Sequence, residues 1–265
     1  MPTLNPVAFT LFNIDVMWYG ILIATGMVLA TIIVYSRAER HGIEKEKTLD
    51  FALVCIPLGV IGARLYYVLF NWEYYAGDIM KIINIRNGGL AIHGGLILGF
   101  LSAAILCKLW RINPLNALDL AVPAVALAQS IGRWGNYFNS EAHGGPTDLP
   151  WAIIVDGQAV HPTFLYESIW CFLMFIILLV KDNNREFNGQ VLLLYGMLYS
   201  FERFFVEYLR TDSLMLFGVV KQAMLLSAVV FIVCLVLYIV IGKRAKKAGK
   251  IFYGGPSKYT GKFKR

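Results

Sequence analysis

The chain has 265 residues, 58% of them hydrophobic and 15% charged, with a formal net charge of +7. A soluble domain of this length has no need of apolar runs as long as these, so composition excludes the water-soluble classes and predicts an all-α integral membrane protein. The positive charge needs no nucleic acid to explain it, and no nucleic-acid partner is expected.

The opening MPTLNPVAFT has no basic n-region, and no cleavable signal peptide is expected. Seven spans follow, at about 17–36, 50–70, 89–109, 117–134, 163–180, 190–208 and 219–241, each near the roughly 20 residues a bilayer requires. The fourth is short and contains Pro123. Between spans four and five, residues 151–155, the pair Asp156-Gly157 and residues 158–161 predict a β-hairpin with a type I′ turn, forming a small cap at the outer face. Cys55, Cys107, Cys171 and Cys234 sit in or beside apolar runs without metal-like spacing. They read as small buried hydrophobes, neither a disulfide framework nor a zinc site. No linker, repeat or low-complexity tract stands out, so the chain reads as a single polytopic membrane domain over 1–265, with a basic cytoplasmic tail over 242–265.

Orientation follows from lysine and arginine. Arg37, Arg40, Lys45 and Lys47 lie in the first loop, Lys108 and Arg111 in the third, and Lys181 and Arg185 in the fifth. The tail holds nine more, from Lys243 to Arg265, and would lie against anionic lipid. The other side carries Lys81, Arg86, Arg210 and Lys221, while Arg64, Arg133 and Arg203 fall inside spans. The N-terminus is therefore expected outside and the tail in the cytoplasm.

With that topology, Tyr19, Arg64, His93, Arg133, Asn136, Asn139, Glu141, His161, Glu167, Arg203 and Glu207 all gather toward the outer ends of their spans. The cytoplasmic ends carry ordinary loop charges. This asymmetry predicts a site at the outer leaflet, because an intramembrane charge is costly unless it is paired or used. Each residue also has a structural reading. Arg133 could snorkel to the interface, and His93 could serve a helix-helix hydrogen bond. Arg203 and Glu207 have the spacing of a helical ion pair. Glu167 could be a first-turn acid favoured by the helix dipole. What favours function is the density of special residues in Gly132-Arg-Trp-Gly-Asn-Tyr-Phe-Asn-Ser-Glu-Ala-His-Gly-Gly145, whose glycines allow close backbone approach.

That stretch resembles the signature of the prolipoprotein diacylglyceryl transferase family, Gly-Arg-x-Gly/Ala-Asn-Phe-apolar-Asn-x-Glu-x-x-Gly, departing from it at Tyr137, where the pattern has Phe. Trp18-Tyr19-Gly20, Ile92-His93-Gly94-Gly95, His161-Pro162 with Leu165-Tyr166-Glu167, and Arg203-Phe-Phe-Val-Glu207-Tyr-Leu-Arg210 extend the resemblance in order along the chain. It implies an enzyme of the bacterial cell membrane with seven spans, an outer-facing site and no cofactor. Its substrates would be phosphatidylglycerol and the lipobox cysteine of a preprolipoprotein, and its products a thioether and glycerol 1-phosphate.

The chemistry then suggests roles. Cleavage leaves negative charge on a departing phosphate, which the planar fork of arginine suits, so Arg133 and Arg203 are expected to form a clamp. The substrate thiol must lose a proton before it attacks. His93 is the first candidate for that base and Glu141 the second. Each arginine is expected to have an acid nearby, Glu141 for Arg133 and Glu207 for Arg203. Glu207 would orient Arg203, Asn136 would help hold the lipid head group, and Tyr19 would donate a hydrogen bond. A transporter would place polar groups at both leaflets or the midplane, often with an internal repeat, and neither is seen. An acyltransferase reading rests on His143 and Asp148 alone, at a spacing that recurs by chance.

Overall fold

The computed structural model describes residues 5–85, 88–211, 215–216, 220–247 and 249. Strands β1 (Val7–Leu11) and β2 (Ile14–Met17) form a hairpin whose turn residues, Phe12 and Asn13, both have positive φ. Helix α1 (Trp18–Arg37) follows at once and runs into a 3-10 turn at Ala38–His41. Next come α2 (Lys45–Phe70), the short α3 (Trp72–Tyr75) and α4 (Ile79–Ile83), α5 (Ile92–Leu109) and α6 (Pro114–Phe138). The hairpin β3 (Ile153–Val155) and β4 (Gln158–Val160) precedes α7 (Thr163–Asn183) and α8 (Gln190–Leu209). The short β5 (Met215–Leu216) and β6 (Val220–Lys221) precede α9 (Gln222–Lys247).

The all-α expectation holds for the described residues, with small hairpins added. Among the described residues six helices, rather than seven, are long and apolar enough to cross a membrane: α1 with its 3-10 turn, α2, α5, α6, α7 and α9. Helix α8 misses that standard because Glu202, Arg203 and Glu207 crowd its last two turns. The fourth span is longer than expected. Asn113 caps the start of α6 by accepting from Leu115 N at 2.9 Å, and Pro114 suits the first helical turn. The helix then runs through Pro123 to Phe138, so Asn136, expected beyond the span, lies on the same helix as Arg133. The β3–β4 hairpin forms as read, with Asp156 at φ 48° and Gly157 at φ 80°, the two positive values a type I′ turn needs. The β1–β2 hairpin, α3, α4 and β5–β6 were not foreseen. Arg86 and the tail from Lys250 to Arg265 lie outside the described residues.

Contacts divide the chain into two compact units, 35–117 and the remainder. In the first, α2 and α5 cross at Gly59, Gly62, Gly94 and Gly95. A Cβ at Gly62 or Gly94 would collide with the facing backbone, so close packing here depends on glycine. At the other end of this unit, Asn116 Nδ2 donates to the His41 carbonyl at 2.7 Å, and His41 Nδ1 lies 3.0 Å from Asn116 Oδ1.

In the second unit, Val122 and Ala126 of α6, Met174 and Leu178 of α7 and Val191 of α8 form the buried core. Beside it, Asp119 of α6 is fully buried and accepts from Gly189 N at 2.6 Å and Leu192 N at 2.9 Å. It thereby caps α8 from a neighbouring helix, and Arg185 Nη1 stands 3.6 Å from the same carboxylate. The far end of α8 is closed by Lys221, whose Nζ donates to the carbonyls of Glu207 at 2.7 Å and Arg210 at 2.6 Å. Asp119→Ala should cost about 3–5 kcal/mol, the usual result of removing one partner of a buried ionic group. A melting curve in detergent checks this, and Asp119→Asn, which keeps an acceptor for one amide, should lose less.

Candidate functional site

The candidate site is assembled by backbone before side chains enter it. After Phe138 the chain turns sharply, with Ser140 and Ala142 in the left-handed region. Gly144 N donates to His161 O at 2.9 Å, His161 N returns a bond to Gly145 O at 3.0 Å, and Gly145 N donates to Leu209 O at 2.9 Å. The Thr163 hydroxyl donates to the Ala142 carbonyl in a short hydrogen bond. These bonds tie the exit of α6 to the start of α7 and the end of α8. Gly144 has no room for a side chain, since a Cβ would meet His161 and the Leu209 carbonyl.

Charges from all three helices then meet. Arg133 Nη2 lies 3.0 Å from Glu167 Oε1, and Arg203 Nη1 lies 3.4 Å from the same oxygen. Arg203 Nη2 lies 2.6 Å from Glu207 Oε2. Glu167 is 0% exposed and Glu207 3% exposed, while the two arginines keep about a fifth of their side-chain surface open. The acids are the buried members of this set, and the guanidinium groups the more open ones. Glu202, 6% exposed and with neither carboxylate oxygen in a hydrogen bond, lies within electrostatic reach of Arg133, Arg203 and Glu167. A polar seam runs beneath. Ser130 and Ser168 exchange hydroxyl-to-carbonyl bonds at 2.8 and 2.9 Å, and Trp134 Nε1 donates to Ser168 Oγ at 3.1 Å.

The remaining candidates divide between the two units. Gly135 lets the Tyr19 ring lie directly on α6, where any Cβ would overlap it, and Trp18 stacks on Phe138 at 5.1 Å. Glu141 Oε1 accepts from Asn136 Nδ2 at 3.0 Å and Asn139 Nδ2 at 3.2 Å. His93 belongs to the other unit, at the first turn of α5, where it is exposed and contacts the Tyr66 ring at 6.1 Å. Arg64 is in that unit too, and its guanidinium is engaged with backbone carbonyls.

Two assignments change. The acid beside Arg133 is Glu167, whereas Glu141, expected near it, holds the two asparagines. Glu167 is also no first-turn dipole acid: α7 begins at Thr163, and its carboxylate bridges two arginines from other helices. Glu202 was missed. The available signal was a third charge in an apolar run, directly beside Arg203. Glu167→Gln keeps the shape but leaves two arginines facing a neutral amide. It should lower stability by about 3–5 kcal/mol, whereas exposed Glu141→Gln should cost less than about 1 kcal/mol. Paired melting curves decide between them.

The family model described as prolipoprotein diacylglyceryl transferase matches residues 6–240. The phosphatidylglycerol–prolipoprotein diacylglyceryl transferase of Clostridioides difficile (strain 630) is 52% identical over 243 residues, covering 92% of this chain and 98% of the relative. That of Finegoldia magna is 46% identical over 246 residues, covering 92% and 99%. That of Staphylococcus aureus (strain JH9) is 43% identical over 248 residues, covering 89% and 88%. With a family match across nearly the whole length and relatives at these identities, the chain belongs to the prolipoprotein diacylglyceryl transferase family.

Proposed function

We propose that the protein transfers the diacylglyceryl group of phosphatidylglycerol to the thiol of a lipobox cysteine in a bacterial prolipoprotein, releasing glycerol 1-phosphate. The observation that carries this reading is the linked set Arg133–Glu167–Arg203–Glu207, two partly exposed arginines paired with buried acids. In the reaction, sulfur attacks the glyceryl carbon attached to the phosphate oxygen. The carbon–sulfur bond forms, the carbon–oxygen bond breaks, and its electron pair stays on the phosphate. Arg133 and Arg203 hold that developing charge, with more effect in a poorly hydrated site than in water. Glu167 aims both guanidinium groups, and Glu207 fixes Arg203. Asn136, oriented by Glu141, and Tyr19 hold the head group.

The thiol proton goes to His93. Both described hydrogen bonds of Glu141 Oε1 come from the asparagines, which supports a holding role for Glu141 and leaves His93 the first choice of base. Helix α8 crosses as a seventh span, its charges tolerated because Glu202 and Glu207 are buried and Arg203 is paired with Glu167 and Glu207. The distribution of lysine and arginine supports a cell-membrane orientation with the N-terminus and the 132–145 stretch outside.

The test is purified protein in detergent with phosphatidylglycerol labelled in its diacylglyceryl part and a lipobox peptide. Label should move to the peptide only when its cysteine is present. Arg133→Lys keeps the charge but loses the planar fork, and should slow transfer on the order of 10²-fold or more at an unchanged melting temperature. Near-normal turnover of that variant would remove the clamp. For orientation, a cysteine placed at Thr147 in intact cells should react with an impermeant thiol reagent, and one placed at Lys258 should not. The opposite labelling would put the site on the cytoplasmic face.

A further inference from the structure

The strongest feature outside the charged set is the environment of Arg64. This arginine is 7% exposed and lies in the last two turns of α2, and every described hydrogen bond it makes goes to a backbone carbonyl. Nε donates to Ile82 O at 2.8 Å, Nη2 to Lys81 O at 2.6 Å and Asn84 O at 2.7 Å, and Nη1 to Gly88 O at 2.8 Å and Gly89 O at 2.9 Å. All five N–H groups of the guanidinium are thereby used. Its remaining face lies over the Tyr75 ring at 5.0 Å. An arginine so engaged has no donor left for a phosphate.

What it holds leads to His93. Gly88 and Gly89, at φ 80° and 78°, turn the chain under the guanidinium, and a Cβ on Gly89 would strike Nη1. Two residues later Ala91 N donates to Ala63 O at 3.0 Å, next to Arg64 on α2. Gly94 then packs on Gly62 and Gly95 on Gly59, while the His93 ring lies against Tyr66. The backbone is therefore fixed to α2 at 88, 89 and 91 before His93, and at 94 and 95 after it. We infer that Arg64 is a positioning residue: its five carbonyl bonds set the start of α5 and so the placement of the His93 imidazole. This rests on the reading of His93 as base only for its effect on rate.

The test follows the imidazole and the rate together. In Arg64→Lys, which has three donors and no planar fork, the Cε1–H resonance of His93, assigned by its loss in His93→Gln, should move while those of His143 and His161 stay. Gly89→Ala, which pushes on Nη1 from the other side, should move the same resonance. Transfer by Arg64→Lys should fall on the order of 10–10²-fold, as expected of a displaced catalytic group. Raising the pH should recover part of that loss, because more thiol ionises unaided. In a His93→Gln background, itself slowed by roughly 10²–10⁴-fold, Arg64→Lys should cost less than about 2-fold further, since coupled residues are not additive. An unmoved His93 resonance in both variants, or the same loss in both backgrounds, would overturn the assignment and leave Arg64 a general support of the fold. A moved resonance alongside a His93→Gln protein of normal rate would uphold the positioning and remove His93 as the base.

Discussion

The candidate site depends on one buried carboxylate. Glu167 is closed to solvent and meets a guanidinium from α6 and another from α8 at a single oxygen. Arg133 has its described ion pair with it, and Arg203 is shared between it and Glu207; an unpaired charge in this setting costs several kcal/mol. An acid could not sit there without the arginines. The mutual requirement draws three helices to one point and sets the spacing of the two forks that an anionic head group would meet.

The glycines of the 132–145 stretch do different work from one another. Gly135 lies within a regular helix and makes room for Tyr19, whereas Gly144 admits the backbones of His161 and Leu209. The result is a site framed by main-chain hydrogen bonds, whose precision does not rely on flexible side chains. Asp119 and Lys221 complete the frame by satisfying the two ends of α8, the helix whose last two turns hold Glu202, Arg203 and Glu207.

In the unit 35–117, the same physical problem has a different solution. Arg64 is balanced by carbonyl dipoles and an aromatic face, with no carboxylate among its described partners. Dipoles aimed at a cation organise a stretch of chain without adding negative charge to it. Glycine-to-glycine packing of α2 on α5 makes the arrangement compact enough to hold.

The sequence by itself determined the membrane class, the approximate spans, the type I′ hairpin around Asp156-Gly157 and the family, because each rests on local composition, period or a contiguous motif. It also named Arg133, Arg203 and Glu207, since charge in an apolar run stands out wherever it occurs and the Arg203–Glu207 pair is set by helical spacing. Which acid faces Arg133 was decided only by tertiary structure. Glu141 is nearer along the chain, but α6 continues to Phe138 and turns it onto Asn136 and Asn139. Glu167 is distant in sequence and arrives through the packing of α7. The different uses of Arg64 and Arg133 were illegible for the same reason. Both are lone arginines near the end of an apolar run, and only the folded chain shows that one is surrounded by carbonyls and the other stands partly exposed beside an acid.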